Sequence, residues 1–595
     1  MTLSAQRPPS LLINWLHVRL SRTQFLILAC IVVGFVAGLA GILLKTMVHS
    51  LQVVINPTFT IAHRQFFLLA APLVGILLTV LIVNTMFKGK IGKGIANILY
   101  EIAQKASFVH RDKMYSHIIT SAITVGFGGS VGLEAPILVT GSAIGSNLGR
   151  HLALNYKDRT VLLAAGAAAG IAAIFNAPIT GVIFAIEVLL AEVSITEFIP
   201  LIIASVCGAL ANKVILHEDF LFTFTLKQDF NYHNVPYYLG LGLLCGAVSL
   251  YYARVTIRIE HFFAQRQKNS VSTAFLGGTI LAFLCFLFPP LFGEGYESIR
   301  LLAAGKVDKI LHNSLLSPFV DSPWVLLAFV GVIVFVKVIA TAVTLASGGN
   351  GGNFASSLFV GAFTGFTFSR AINMLGQTHL PESNFTIVGM AGILSGVMYA
   401  PLSGIFLIAE ITGGYELILP LMIVSALSFL LVRHFEPFSM DTKKLAAKGQ
   451  IFTADKDKNV LSLMKIEHLL ERDITAIAPQ ATLGDLVEAI KTNKRNLFAV
   501  IEEDRTFKGL ITLDDIREIM FRQDLYDEIH VQQLMKAPLA TVQVDESMAS
   551  AMKKFDNSQS WNLPVLNNGT YLGFISKSSI FTEYRSELMK QVGID

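Results

Sequence analysis

Two stretches of this chain share one pattern, APITGVIFAIE at residues 177–187 and APLSGIFLIAE at residues 400–410. Each keeps Ala-Pro, a hydroxyl residue, Gly, an apolar run and a terminal Glu in the same register. The second begins 223 residues after the first. A glycine-rich lead-in recurs at a similar interval, GFGGSVGLEAP at 126–136 and GGNGGNFASSL at 348–358. Small-residue packing between membrane helices accounts for isolated glycine motifs, but not for two sets in register. Duplicated halves with Gly/Pro-interrupted hydrophobic segments in matching places instead mark a transport site near the bilayer midplane.

Composition agrees with a membrane setting. Only 15% of residues are charged, 53% are hydrophobic, and mean hydropathy is +0.59. Soluble domains carry about a quarter charged residues. The deficit is uneven: no Asp or Glu precedes Glu101, while the last 150 residues are rich in both signs. A large membrane domain followed by a soluble tail is expected. The net charge of +4 gives no reason to invoke nucleic acid. Cys30, Cys207, Cys245 and Cys285 lie in apolar runs without CxxC spacing and read as buried small hydrophobes, not metal ligands. Arg7, Arg19 and Arg22 precede the first long apolar run without an obvious cleavage site, so an uncleaved cytoplasmic N-terminus is expected over residues 1–22.

Segment lengths sharpen this. Residues 11–20 suit an interfacial position, and 25–55 and 67–87 are long enough to cross. Residues 114–127 lead into the first glycine stretch and 134–149 leave it. Residues 159–174, 177–190 and 197–213 follow, then a polar connection at 217–236. The second half runs through 237–263, 271–292, 324–346, 353–375, 385–398, 401–412 and 416–433, while 293–308 is too polar and short to span. Several segments fall short of the ~20 residues of a full crossing. Half-helices that meet inside the membrane, buried in protein, would explain them.

Glu134 is the one acid in the run that ends at Arg150. Pro136 suits the first turn of a helix, since its missing N–H costs nothing there. The preceding glycines suit a broken lead-in. A helix beginning here aims unpaired N–H groups and the positive end of its dipole at whatever lies near Glu134, which makes an anion site. An ionisable group at membrane depth is a functional candidate by default.

These residues resemble the CLC chloride channels and chloride/proton exchangers. The family's Gly-x-Glu-Gly-Pro element is similar to Gly132-Leu133-Glu134-Ala135-Pro136. Its Gly-x-Phe-x-Pro element resembles Gly352-Asn353-Phe354-Ala355-Ser356, and its Gly-Ser-Gly-Ile-Pro element resembles Gly92-Lys93-Gly94-Ile95-Ala96. The resemblance covers roughly residues 25–440. It implies an all-α polytopic membrane domain of two inverted-topology halves, here bounded at 23–440, and a homodimer with one pore per subunit.

It further implies that Glu134 is a gate whose carboxylate competes with the permeant ion, and swings away once protonated. Chloride would bind around Lys93, Gly94, Gly132, Leu133, Glu134, Asn353, Phe354 and Ala355, with Phe438 standing nearest the family's inner-gate tyrosine. Lys93 replaces the usual serine. It could face the pathway, attracting anions, or snorkel to the cytoplasm. Coupled members carry an internal proton-relay glutamate where this chain has Val188, which favours passive conduction over exchange. Glu187 and Glu410 read as structural helix-end acids.

Past a linker at 441–465, LFAVIEEDRTFKGLITLDDIREIM (497–520) and WNLPVLNNGTYLGFISKSSIFTEY (561–584) each read as strand, turn, strand and helix, preceded by an amphipathic helix. The basic cluster Arg433, Lys443, Lys444 and Lys448 places this tail in the cytoplasm. It resembles a tandem α/β CBS domain, at 466–525 and 530–590. Thr512 and Asp515 match the ribose-binding positions, whereas the second unit has Ser576 and Ser579, so at most one adenine-nucleotide site is expected. Dimer packing is the other reading of the tail.

The expected function is gated chloride permeation through an integral, multi-pass membrane protein with both termini cytoplasmic. Proton-coupled chloride exchange is the alternative within transport. A CBS-regulated cation transporter would need clustered intramembrane carboxylates, and only isolated ones occur. A nucleotide sensor without transport leaves the duplicated glycine elements unexplained. No motif for catalysis appears, so no enzyme is expected.

Overall fold

The computed structural model describes residues 19–55, 61–89, 91–92, 94–190, 195–216, 230–266, 270–311, 314, 322–376, 378–447, 461, 464–473, 475–493 and 495–592. The interfacial segment 11–20, most of the connection at 217–236, Lys93, and residues 448–460 of the linker lie largely or wholly outside these. The chain forms two units, Met1–Ile451 and Phe452–Asp595.

The first unit is helical. α1 (Arg22–Ile55), α2 (Ile61–Met86), α3 (Gly94–Gln104), α4 (Ser116–Gly126), α5 (Glu134–His151), α6 (Tyr156–Phe175), α7 (Pro178–Phe184) and α8 (Ile195–Leu216) make the first half. The second comprises α9 (Val235–Ala264), α10 (Ser270–Leu287), the short α11 (Tyr296–Ala303), α12 (Pro323–Ala346), α13 (Phe354–Met374), α14 (Glu382–Met398), α15 (Pro401–Ile411), α16 (Ile418–Phe435) and α17 (Met440–Ala447). Among the described residues, seven helices are long and apolar enough to cross a membrane. Others, including α3, α7 and α15, are short. The span expected at 271–292 ends earlier: α10 stops at Leu287 and Pro289 opens a 3-10 turn, since proline cannot continue the ladder.

The halves repeat local devices. α6 ends at Asn176 and α14 at Tyr399, both left-handed (φ 53° and 60°), and Ala-Pro then starts α7 and α15. The Glu187 carboxylate, just past α7, accepts from the Leu402 amide (3.1 Å), the Ser403 amide (2.8 Å) and the Ser403 hydroxyl (2.7 Å) at the start of α15. Glu410, near the end of α15, does the same for the Ile179 amide (2.9 Å), the Thr180 amide (2.7 Å) and the Thr180 hydroxyl (2.6 Å). Each acid therefore satisfies the orphan N–H groups of the other helix. That exchange requires α7 and α15 to run antiparallel, so the halves are inverted.

Close approach of helices repeats too. Gly141 and Gly145 of α5 lie against the backbone of Gly166 and Leu162 on α6, and Gly361 and Gly365 of α13 against Gly389 and Phe385 on α14. A Cβ on Gly365 would stand 2.7 Å from the Phe385 carbonyl carbon and 3.1 Å from the Thr386 Cα. Backbone cannot yield as a side chain can, so only glycine lets these helices meet at this distance.

The second unit contains two three-stranded sheets. β1 (Ala476–Ile477) runs parallel to β2 (Leu497–Ile501), which pairs antiparallel with β3 (Phe507–Thr512). β4 (Val542–Gln543), β5 (Asn562–Asn567) and β6 (Thr570–Ser576) repeat that arrangement. Thr482 and Ser547 cap the amphipathic helices α18 (Leu483–Thr492) and α19 (Met548–Ser558). The two sheets meet through their hairpins, where Tyr571 donates its amide to Arg505 (3.0 Å) and its ring stacks on Phe507 (5.8 Å). The helix expected after β3 is a single turn, whereas β6 is followed by α20 (Lys577–Val592).

Gly365→Ala is expected to destabilise the membrane unit by about 1–3 kcal/mol, the range for overpacking a filled interior. Gly414→Ala, which meets nothing within 4 Å, serves as reference. Equal melting temperatures for the two variants in detergent would reject this account of the α13–α14 contact.

Candidate anion site

After α4 and α12 the chain reverses at Gly128 (φ 93°) and Gly348 (φ 116°), a conformation that strains any residue bearing a Cβ. Each chain then runs extended towards the other. The Gly132 amide donates to the Gly352 carbonyl and the Gly352 amide to the Gly132 carbonyl, both at 2.9 Å. A Cβ on Gly132 would stand 2.7 Å from the Ala355 Cβ, and one on Gly352 would stand 2.7 Å from the Ala135 Cβ. This reciprocal pair sets the starts of α5 and α13 side by side.

Neither start is capped. Leu133 has no polar side chain, and Asn353 makes no capping bond because its Oδ1 accepts from the Tyr252 hydroxyl (3.4 Å). First-turn N–H groups of two helices are therefore left facing one point, with both dipoles adding positive potential there.

Glu134 occupies that point. Its side chain is buried, the residue being 1% exposed. Oε1 accepts from the Tyr296 hydroxyl. The amides of Glu134 itself and of Ala355 face the carboxylate, yet Oε2 has no partner of full hydrogen-bond geometry. The attraction at Oε2 is thus electrostatic and adjustable, not a fixed bond. Phe354 closes the site on one side, packed against Phe175 (5.4 Å) and Phe184 (5.5 Å).

A cavity of about 610 Å³ opens from the same point. Of the expected residues, Gly94, Glu134, Asn353 and Phe354 line it; Gly352, Glu260 and Asp441 line it as well. Gly132, Leu133 and Ala355 are buried behind its wall. Lys93 lies outside the described residues. Phe438 sits on the exposed turn after α16, 37% exposed, and is not among the residues of that wall. The start of α17 brings Met440 and Asp441 there instead. Val188 packs half-buried on the π-helical turn that extends α7 and does not line the cavity.

Three residues that matter at this site were not singled out from the sequence. Tyr296 arrives from α11, inside the segment read as too polar to span, with its ring edge-on to Phe175 (6.5 Å). Glu294 precedes it, its carboxylate faced by the Leu133 amide. Lys337, in the middle of α12, is fully buried. Its Nζ donates to Ser130 Oγ (2.8 Å) and the Gly293 carbonyl (3.0 Å), and lies 4.7 Å from the Phe359 ring centre. A lone lysine in an apolar span is itself a signal, and it could have been read.

In the second unit Thr512 and Asp515 bind each other. Asp515 Oδ2 accepts from the Thr512 amide (2.9 Å) and hydroxyl (2.7 Å), and Oδ1 pairs with Lys536 (2.5 Å). Burial works against ionisation of Asp515, but the bonds from Lys536 and Thr512 outweigh it and hold the carboxyl below its usual range. In the second repeat Ser576 Oγ meets Glu471. Among the described residues no His, Cys, Asp and Glu cluster suits a metal ion.

A family model described as voltage gated chloride channel matches residues 75–433. One described as CBS domain matches residues 466–522 and 531–586. The chain is 25% identical over 551 residues to chloride channel protein CLC-f of Arabidopsis thaliana, spanning 80% of this chain and 69% of that protein. It is 30% identical over 310 residues to a ClcB-like chloride channel protein of Ralstonia nicotianae, spanning 51% and 68%. The crystal structure of a eukaryotic CLC transporter matches with a TM-score of 0.61 at 16% identity, covering 96% of this chain and 98% of that one. That of a slow cyanobacterial Cl-/H+ antiporter matches with a TM-score of 0.60 at 22% identity, covering 72% and 98%. At these identities the two structures speak to the fold.

Tyr296→Phe removes the hydroxyl that donates to Glu134 and nothing else. Hydrogen bonds to charged groups contribute about 1.5–3 kcal/mol, so chloride should compete about ten- to a hundredfold better for the site. Calorimetric titration of chloride measures this. An unchanged affinity, alongside a gain in Glu134→Ala, would rule out a holding role for Tyr296.

Proposed function

This chain belongs to the voltage gated chloride channel family, whose members are transporters and channels rather than enzymes, and we propose that it conducts chloride passively along a pathway closed by Glu134. The observation that carries the proposal is the position of that carboxylate. It stands at the meeting point of two uncapped helix starts, at the head of a polar-mouthed cavity. An ionised Glu134 and a chloride ion need the same amides. Helix ends attract an anion less tightly than a full opposite charge, which lets it leave again. Protonation removes the charge that holds the side chain there, so acid opens the pathway.

Passive conduction rests on Val188, which stands where coupled relatives carry a proton-bearing acid and cannot take up a proton. Proton-coupled exchange is the second reading, favoured by Glu260 and Asp441, two carboxylates in the wall of the cavity that reaches Glu134. Reversal potentials separate the two: a shift with pH at fixed chloride rejects passive conduction.

The same reading makes the protein a homodimer with one pathway per subunit. α7, α8, α15 and α16 carry the exposed apolar residues Ile179, Ile199, Leu402 and Met422, a surface suited to lipid or to a second copy. Both termini are placed in the cytoplasm, in keeping with the basic residues that follow α16. The CBS pair is assigned one adenine-nucleotide site at Thr512 and Asp515, where the ribose must displace Lys536 from the carboxylate.

Chloride efflux from liposomes tests the gate. Glu134→Ala and Glu134→Gln should conduct at least as fast as wild type and lose pH dependence. Slower flux in both variants counts against the proposal. For the tail, Lys536→Ala should increase the thermal shift produced by ATP, and Asp515→Ala should remove it. A shift indifferent to both changes would place the nucleotide elsewhere.

A further inference from the structure

Glu294 is a second carboxylate beside the gate, held by the backbone on both sides. Gly293 (φ 66°) and Gly295 (φ 87°) are both left-handed, which leaves a tight turn with Glu294 at its tip. The Gly293 amide donates to the Gly128 carbonyl (3.2 Å), and its carbonyl accepts from Lys337 (3.0 Å). The turn is thereby tied to the glycine lead-in of α5. The Leu133 amide faces the Glu294 carboxylate, so consecutive residues at the start of α5 serve Glu294 and then Glu134.

Four charged or titratable groups face Glu294 from the elements around it. They are Glu134 on α5, Tyr296 on α11, Lys337 on α12 with Cys285 of α10 behind it, and Lys45 on α1. Lys337 and Lys45 act against the mutual repulsion of Glu294 and Glu134.

Access distinguishes the two acids. Glu134 is sealed from solvent except through the cavity whose wall it joins. Glu294 is half-buried and does not line that cavity. Oε2 of Glu134, buried and without a hydrogen-bond partner, is available to take up a proton.

We propose that Glu294 delivers protons to Glu134 by a route that bypasses the cavity. A hydronium ion gives its proton to the Glu294 carboxylate and leaves as water. The proton then passes to Glu134 Oε2, directly or through a bridging water. Glu294 returns to its ionised form, and neutral Glu134 leaves the helix starts. Glu294 touches no anion in this scheme and acts only through the gate. The proposal rests on the reading of Glu134 as that gate.

The test is chloride current through the full chain in planar bilayers, with each face acidified in turn. Wild type should be stimulated by acid on one of the two faces. E294Q should lose that stimulation, and E294D, which keeps the carboxylate, should retain it. E134Q should be insensitive to acid, and E134Q/E294Q should behave as E134Q does, because the relay has nothing left to protonate. E294S replaces E294Q if the latter does not assemble. Wild-type acid stimulation in E294Q or E294S overturns the relay and leaves the gate standing. A further change in the double variant also overturns it, by showing that Glu294 acts on conduction itself. Acid stimulation retained in E134Q overturns both readings.

Discussion

Two backbone hydrogen bonds between Gly132 and Gly352 govern the membrane unit. They join the two halves at the point where each stops being extended and becomes helix. Because the bonds are reciprocal, whatever one half presents there the other presents in mirror sense along the chain. The outcome is a pair of helix starts whose unpaired amides converge. A single helix end carries about half an elementary charge; two of them in a dry interior hold an anion without fixing it. The exchanged caps of Glu187 and Glu410, and the glycine contacts of α5 with α6 and α13 with α14, keep the halves in that relation.

Such a site inside a low-dielectric protein needs an occupant, and in this structure a carboxylate fills it. Several features limit the cost of burying that charge. Tyr296 donates to one oxygen, and two amides face the carboxylate. Lys337 pins Gly293, and so positions the turn that brings Glu294 and Tyr296 to Glu134. The segment at 293–308, read from the sequence as too polar and short to span, forms only the short α11, and its polar groups find partners in the membrane unit.

The tail shows the opposite balance. Asp515 and Thr512 already satisfy one another in a capping arrangement, and Lys536 takes the remaining oxygen. Their spacing was legible because a helix cap places an acid three residues after a hydroxyl. Sequence reasoning could not see Lys536, which comes 21 residues later and meets Asp515 only once β3 and the following turn are in place.

Local order and composition were sufficient to read the membrane class, the duplicated halves, the α/β tail and Glu134 as the acid at a helix start. These depend on apolar run length, on glycine and proline at fixed offsets, and on charge placed near a helix end, all properties of neighbouring residues. The bend after α16 leaves Phe438 exposed and brings Met440 and Asp441 to the cavity, a placement that distance along the chain does not give. Tyr296, Glu294 and Lys337 escaped for a related reason. Tyr296 stands 162 residues from the acid it contacts and Lys337 stands 207 from Ser130, so only packing of the two halves brings them together. Chain chemistry marked which group would carry the charge; tertiary structure chose its company, since contacts across such separations are set by how helices pack rather than by local propensity.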